Sequence, residues 1–306
     1  MGKYNHIVTE DEIGHTINQI LRANYDFSRR FRTRMKYDEL VDLNGEKAPG
    51  YLRPAAGDII SIRLPEEKSD FPPEEIPLEI IYEDDDYIAI NKQSGITVHP
   101  TKGHPGGTMA NALMHYMNKT GQEFKIRFCN RLDMDTSGVI IAAKNSNAQN
   151  ELSKEMQRGL VIKKYIAVTE GIIENDMFTI DLPVGRPSPD SPRRAVMSTA
   201  DGGKNAITDV KVLNRFHKCE LCKMDATLIE LTIHTGRTHQ IRIHLSHIGH
   251  AIIGDRLYGC EAPDLIKRQA LHAAFMEFYI PSAGSKFSFD APCPDDINKL
   301  IKKLSK

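Results

Sequence analysis

Apolar residues recur along this chain with two different periods, and each change of period marks an element. Near the start, Ile13, Ile17 and Leu21 fall at i, i+4 and i+8, the spacing of one helical face. A second helix is expected after Ser28, whose hydroxyl can accept a first-turn amide, with Phe31 and Met35 turned to the core. Short strands fit the Asn44-Gly45 turn and the run GDIISIRLP at 57–65. From LEIIYEDDDYIAINK at 78–92 the strands lengthen, and Asp84 to Asp86 turn one into the next. Ala148, Leu152 and Met156 mark an amphipathic helix that Gly159 stops. In the strand VIKKYIAVTEG that follows, Tyr165 and Ala167 share one face while Ile166 and Val168 share the other. ATLIELTI puts Ile229, Leu231 and Ile233 on one face of a further strand. Thr235 is then expected to cap a helix with the stripe Ile241, Leu245 and Ile248, ending at Gly249.

Within this pattern the segment NRLDMDTSG at 130–138 is unusual, a polar break between the apolar runs FKIRFC and VIIAAK. Phe124, Ile126 and Phe128 before it and Val139 to Ala142 after it read as strands, with Thr136, Ser137 and Gly138 supplying the turn. Asp133 and Asp135 are therefore displayed at a sheet edge, where a rigid scaffold presents reactive groups to a cleft. The plain alternative is a solvated turn, since Asp, Ser and Gly suit turns for local hydrogen bonding alone. Arg242 borders the apolar stripe of its helix, and a guanidinium there needs a partner to offset its desolvation. Asp133 is a suitable one, and a two-pronged bond would favour the ionised carboxylate.

Composition narrows the classes. The 306 residues fit one large and one small domain by the scale of about 150 residues per domain, and 40% apolar residues suffice for a globular protein. The longest apolar run, Val139 to Ala143, is far short of the ~20 residues that span a bilayer. The opening MGKYNHIVTEDEIGH has no signal-peptide core, so a cytoplasmic protein without membrane contact is expected, read as a monomer. Five cysteines, an odd number spread widely, suit a reducing compartment. Cys219 and Cys222 form one CxxC, yet Cys260 and Cys293 make no second pair for a zinc site. His239, His244 and His247 lack the i, i+4 spacing of a helical zinc site, and no metal is expected. Net charge is −1, but it is segregated: SRRFRTRMK at 28–36 carries five cations and no anion, whereas 66–86 is strongly acidic. Arg29, Arg30 and Arg32 thus form either a solvated face or a surface that neutralises phosphates.

The first segment resembles the alpha-L motif, a small RNA-binding module shared by a ribosomal small-subunit protein and several RNA-modifying enzymes. The likeness rests on the basic second helix, VDLNGE at 41–46 and GDIISIRLP. More specifically, NRLDMDTSG, KKYIAVTEG and GRTHQIRIHL, in this order and followed by GHAIIGDRLYG, resemble the signature of the RluA family of RNA pseudouridine synthases. INKQSGITVHPTKGHPGGTMANAL at 90–113 resembles the first block of that family. The resemblance implies an α+β fold, a mixed, mostly antiparallel sheet with a central cleft, preceded by the small α/β module. The expected layout is a module at 1–66, an acidic proline-containing linker at 67–77, a catalytic domain at 78–292 and a basic helix or tail at 293–306.

By the same resemblance Asp133, which directly follows Arg-Leu, is the catalytic aspartate, Tyr165 the active-site tyrosine and Arg242 the accompanying cation. Uridine-to-pseudouridine isomerisation breaks the bond from the base to C1′, turns the base over and rejoins it through C5. No redox change occurs and no cofactor is expected. Asp133 either attacks C1′ or takes a proton on the way to a glycal-type intermediate, and both stay open. Tyr165 would stack on the base and help remove the C5 proton, with its surroundings assisting a phenol of ordinary pKa near 10. Arg131 is a candidate phosphate contact or a wedge into the space left by a flipped base, with an ion pair to Asp135 as the structural alternative. Arg237, His239 and Gln240 are further expected RNA contacts. Asn130 stands where many members have histidine and Gln93 where many have proline. The expected partner is structured RNA, large-subunit ribosomal RNA before transfer RNA. A non-catalytic RNA-binding or ribosome-assembly factor is one rival; a glycosidase using Asp133 and Asp135 is another, awkward because its carboxyls need ~5 Å or more between them.

Overall fold

The computed structural model describes residues 4–65, 67–101, 103–188, 190–191, 193–218, 224–259, 261–281 and 284–306. Cys219, Cys222 and Cys260 lie outside the described residues. The first part is a small sheet, β1 (Tyr4–Ile7), β2 (Val41–Leu43), β3 (Glu46–Lys47) and β4 (Ile59–Ile62), in the order β1-β4-β2-β3. Two helices, α1 (Ile17–Asn24) and α2 (Arg29–Tyr37), bury Ile17, Ile20, Leu21, Phe31 and Met35 against Ile60 and Ile62. Ser28 caps α2 as expected, accepting the Phe31 amide at 3.1 Å. Ile13 is not on a helix: Thr16 and Gln19 form a capping box that starts α1 at Ile17, leaving Ile13 60% exposed.

The linker region is strapped down. Ser69 Oγ accepts the Ile126 amide, the Pro72 carbonyl accepts from Asn111, and Glu74 accepts the Gly107 amide. Glu67 bridges Arg34 of α2 and the buried Arg127. Tyr4 accepts a bond from Asn147 and Asp26 pairs with Lys154, so the small sheet also rests on a helix of the large part.

Among the described residues the large sheet has ten strands. Its first half comprises β5 (Glu79–Glu83), β6 (Tyr87–Lys92), β7 (Arg127–Phe128) and β8 (Ser137–Ala143), with α3 (Met109–Thr120) and α4 (Ser146–Gln157) inserted. Then come β9 (Ile162–Glu170), β10 (Met177–Asp181), a short hairpin of β11 (Val184–Gly185) and β12 (Ala195–Val196), β13 (Ile207–Phe216) and β14 (Ala226–Ile233). After α5 (Gln240–His247) the chain closes with β15 (Leu271–Ile280), β16 (Ser285–Asp290) and α6 (Asp295–Leu304). The order is β10-β13-β14-β9-β15-β8-β6-β5, with β16 on β15 and β7 on β8; among the described strands only β15 and β8 pair in parallel. This is the α+β, mostly antiparallel architecture expected.

Burial explains the element types. α3 packs Met109, Leu113 and Met117 on one face of β6 and β8, and α4 packs Ala148 and Leu152 on the other. With both faces covered, β8 has no polar alternation, which is why VIIAA reads as an unbroken apolar run. The strand expected over FKIRFC shortens to Arg127–Phe128, although Phe124 and Ile126 still pack into the α3 core. The C-terminal stretch is a helix whose Ile297, Leu300 and Leu304 enter the core formed by β9, β14 and α5. Its acidic first turn suits the positive helix end, and Asp296 there holds the buried Arg268 through bonds of 2.7 and 2.9 Å.

Gly138, the second residue of β8, has φ +118, and a Cβ on it would lie 2.1 Å from the Ala273 carbonyl oxygen. The parallel pairing of β8 and β15 therefore requires glycine here. Gly138→Ala is expected to lower stability by about 2–4 kcal/mol through strain and overpacking. Urea unfolding would measure it; a variant within 0.5 kcal/mol of wild type, roughly the noise of a neutral surface change, would show that the two strands can part without penalty.

Candidate active site

Sheet register brings the singled-out residues together. Ile166, His272 and Ser137 stand in one row across β9, β15 and β8, so Tyr165 lies one residue from the row in which the Asp133 turn ends. On the other side Tyr165 pairs with Leu231 of β14, and β14 runs directly into the loop before α5. The result is a cavity of about 760 Å³ lined by Asp133, Tyr165 and Arg242, with Arg131, Arg237, His239, Lys163 and Leu271 among its walls.

Arg242 is at the centre. Its Nη1 donates to Asp133 Oδ2 at 2.9 Å, while Nε and Nη2 grip both oxygens of Asp255 at 2.7 and 2.8 Å. The expected partner is present, but the two-pronged bond goes elsewhere. Asp255 is fully buried and also accepts the Leu257 and Tyr258 amides, so four donors hold it. Burial works to raise its pKa; the bonds from Arg242 outweigh that and hold it below the ordinary value. The guanidinium lies 5.2 Å from the Tyr258 ring centre, a cation–π contact. A cation locked this way is oriented before anything enters the cavity.

Burial, and then the charge of Asp133, pushes the Tyr165 phenol well above its ordinary range. The surroundings therefore oppose ionisation, contrary to the assistance expected for C5 proton removal. A protonated phenol offers a stacking face and a hydrogen-bond donor instead. Tyr165 is 8% exposed.

The helix carrying Arg242 starts later than its sequence pattern suggests. Thr235 does not cap it; the hydroxyl donates to Gln240 Oε1 at 2.7 Å and accepts the Ile207 amide, while His239 at φ +57 occupies the N-cap. Six consecutive residues, Gln240 to Leu245, are buried, so the helix has core on several sides and its single stripe is misleading. Ile243, outside that stripe, packs with Val184 and Ala206. Gln240 borders the cavity but is 3% exposed; its oxygen accepts from Thr235 and Arg237, and its nitrogen donates to Ile207 and Thr208. It has no bonding capacity left for a ligand.

The remaining residues divide by place. Arg131 and Arg237 are exposed at the cavity, Arg237 tied through Nε to the Asn205 carbonyl. Arg131 makes no ion pair with Asp135 among the described residues, and Asp135 is absent from the cavity wall. Arg29, Arg30 and Arg32 are exposed on α2, outside the cavity, with Arg32 also bonded to the Phe27 carbonyl. Asn130 braces the backbone, donating to the Val139 carbonyl at 3.0 Å and accepting the Ile141 amide at 2.8 Å. Gln93 donates to the Pro77 carbonyl. Of the other histidines, His234 pairs with Asp209, His244 bonds Thr208 and the Leu182 carbonyl, and His250 bonds the Glu170 carbonyl.

Several supports were missed in the sequence. Asp255 and Tyr258 belong to GDRLYG, and the unmet need of a half-buried arginine for a second anion was the available signal. Arg268 donates to the Asp135 carbonyl and to Ser137 Oγ, fixing the turn from below. Lys92, fully buried, donates to the carbonyls of Gln93 and Met134 at 2.8 Å each, so the residue after Asp133 is clamped. No spacing rule singles out a buried lysine.

The site thus sets a carboxylate held by a fixed guanidinium beside a neutral phenol, in a cavity with cationic walls. The chain belongs to the RNA pseudouridylate synthase family, whose profile matches residues 86–247, more than half of the chain. It is an isomerase acting on RNA. Among curated relatives it is 36% identical to an uncharacterised RNA pseudouridine synthase of Bacillus subtilis strain 168, over 100% of this chain and 99% of that one. It is 34% identical to the ribosomal large subunit pseudouridine synthase D of Vibrio parahaemolyticus, over 98% of this chain and 94% of that one. Human RNA pseudouridylate synthase domain containing 1 shares the fold, with a TM-score of 0.59 and 24% identity over 76% of this chain and 97% of that one.

Lys92 provides a test of the clamp. Burial, eased by Asp135 and worsened by Arg268, lowers its pKa to about 7 from 10.5. A neutral amine still has two N–H groups for its two carbonyls. Because the folded pKa is depressed, the contribution of Lys92 to stability is full above 10.5 and is lost as pH falls towards 7. Wild type is expected to gain stability between pH 7 and 9.5 relative to Lys92→Met, read as the difference of their urea midpoints. Parallel midpoints for the two proteins would mean that Lys92 is not held in this state.

Proposed function

We propose that this protein isomerises particular uridines of large-subunit ribosomal RNA, with Asp133, Tyr165 and Arg242 at the reacting centre. The observation that carries the reading is Asp133 held at 2.9 Å by a guanidinium that Asp255 has already oriented, in a cavity large enough for a nucleoside. The ribosomal preference is supported by relatives named ribosomal large subunit pseudouridine synthase D that align over nearly the whole chain. A cytoplasmic location fits that substrate.

In the proposed reaction the N1–C1′ bond breaks, the C5–C1′ bond forms, C5 loses a proton and N1 gains one. Asp133 acts on the sugar, as nucleophile at C1′ or as base towards a glycal. Arg242 keeps the carboxylate ionised and aimed, and counters charge on the detached base. Tyr165, neutral, stacks on the uracil and donates a hydrogen bond. The target uridine must be flipped out of its stack or presented in a loop, and Arg131 at the cavity mouth contacts the flanking backbone or fills the vacated space. The glycosidase alternative loses its second carboxylate, since Asp135 does not line the cavity.

RNA tritiated at uracil C5 tests the chemistry. Wild type is expected to release tritium from RNA lacking prior modification, and Asp133→Asn to lose at least ~10³-fold in rate, as expected when a reacting group is removed. Equal release by the two proteins sinks the role of Asp133. For α2, replacing Arg29, Arg30 and Arg32 by Ala is expected to weaken RNA binding and to flatten the slope of log affinity against log salt by about one per lost phosphate contact. An unchanged slope removes that surface from the interface.

A further inference from the structure

His239 is drawn into the site by more than its place in the chain. It holds a left-handed backbone at φ +57 directly before α5, lines the cavity, and its Nε2 stands 3.8 Å from Asp133 Oδ2. That separation is too long for a hydrogen bond, so the ring faces the carboxylate without pairing with it. Its other nitrogen is occupied: Nδ1 lies 2.9 Å from the Tyr258 hydroxyl, ring edge to ring face.

The bonds at Tyr258 favour one tautomer. The Tyr258 oxygen accepts the Arg194 amide at 2.8 Å, which leaves its hydroxyl proton to be donated to His239 Nδ1. With Nδ1 accepting, a neutral imidazole carries its hydrogen on Nε2, the nitrogen turned towards Asp133 and the cavity. Burial lowers the pKa of His239; the charge of Asp133 works against that, and Arg242 adds to it. The neutral form is therefore the one present near pH 7.

Such a donor suits a particular step. Once uracil leaves C1′, its charge spreads over N1 and the two carbonyl oxygens. Arg242 already commits three of its five N–H groups to Asp133 and Asp255. A second free cation beside Asp133 would pair with the carboxylate and blunt it. A neutral N–H donor aids the anion and leaves Asp133 alone.

We propose that His239 is a further substrate-contacting residue, a neutral Nε2–H donor aimed by Tyr258 that hydrogen-bonds a carbonyl oxygen of the target uracil while the base is detached from its sugar. This rests on the isomerase reading above, and two kinds of measurement separate them. In the free protein, long-range 1H–15N correlation spectra of the imidazole are expected to show the Nε2–H tautomer at pH 7.5, shifting towards a mixture in Tyr258→Phe. A proton on Nδ1 in the wild type overturns the proposal whatever the enzyme does to RNA. In single-turnover reactions on RNA that wild type modifies, His239→Leu is expected to lower the rate constant at saturating enzyme by about 10–100-fold, with RNA Kd changed by less than about threefold. His239→Gln, whose amide nitrogen reaches near the Nε2 position, is expected to recover at least a third of that loss on a logarithmic scale. A brace without substrate contact predicts otherwise: Gln no better than Leu, or a loss confined to Kd. Either result overturns the proposal, and the Gln variant carries the test if Leu does not fold.

Discussion

A guanidinium cannot enter a protein interior without anions to receive it, and the architecture around Arg242 follows from that constraint. Asp255 satisfies it through two parallel bonds and is itself held by two backbone amides. What remains of the fork points at Asp133. The arrangement demands that the loop before β8, the helix after β14 and the GDRLYG turn converge on one point. The sheet meets that demand by setting β14, β9, β15 and β8 side by side. Removing one partner from such a buried group typically costs about 3–5 kcal/mol, so the geometry is enforced by stability as well as by use.

The turn bearing Asp133 is held from several directions. Lys92 and the Gly95 amide take the Met134 carbonyl, Arg268 takes that of Asp135, and Asn130 stitches the strand edge beneath. Arg268 depends in turn on Asp296, which ties the last helix to this loop although it contributes nothing to the cavity wall. For the role proposed for Asp133, such preorganisation holds the carboxylate ready before the substrate arrives. Within this braced turn, the Asp133 carboxylate faces the cavity and is held there by Arg242.

Much of this was legible in the sequence, because strands, caps and turns obey local rules. Ser28, Gly159 and the alternation of Ile229, Leu231 and Ile233 marked their elements correctly. The failures involve hydrogen bonds that apolar spacing does not encode. Thr235 looks like a cap until Gln240 is seen to claim its hydroxyl, and Ile13 looks like part of a stripe until the capping box of Thr16 and Gln19 starts α1 at Ile17 and leaves it outside. Periodicity could not separate a helix with one buried side from one enclosed on several, as α5 is. The partners of Arg242 were only half foreseen, since a pattern can say that an anion is needed but not how many will come.

Glu67 joins two arginines that would otherwise repel, Arg34 on the basic helix and Arg127 on the strand that leads to Asn130. Together with the Tyr4–Asn147 and Asp26–Lys154 contacts, that carboxylate holds the outer cationic face at a set distance from the cavity, where a slack tether would have left it variable. An RNA that engages both must carry its target uridine at a matching span from the helix it presents to α2. If α2 and the cavity both engage RNA as proposed, choice among uridines becomes a matter of measured length, set in part by an ion-paired junction far from the chemistry.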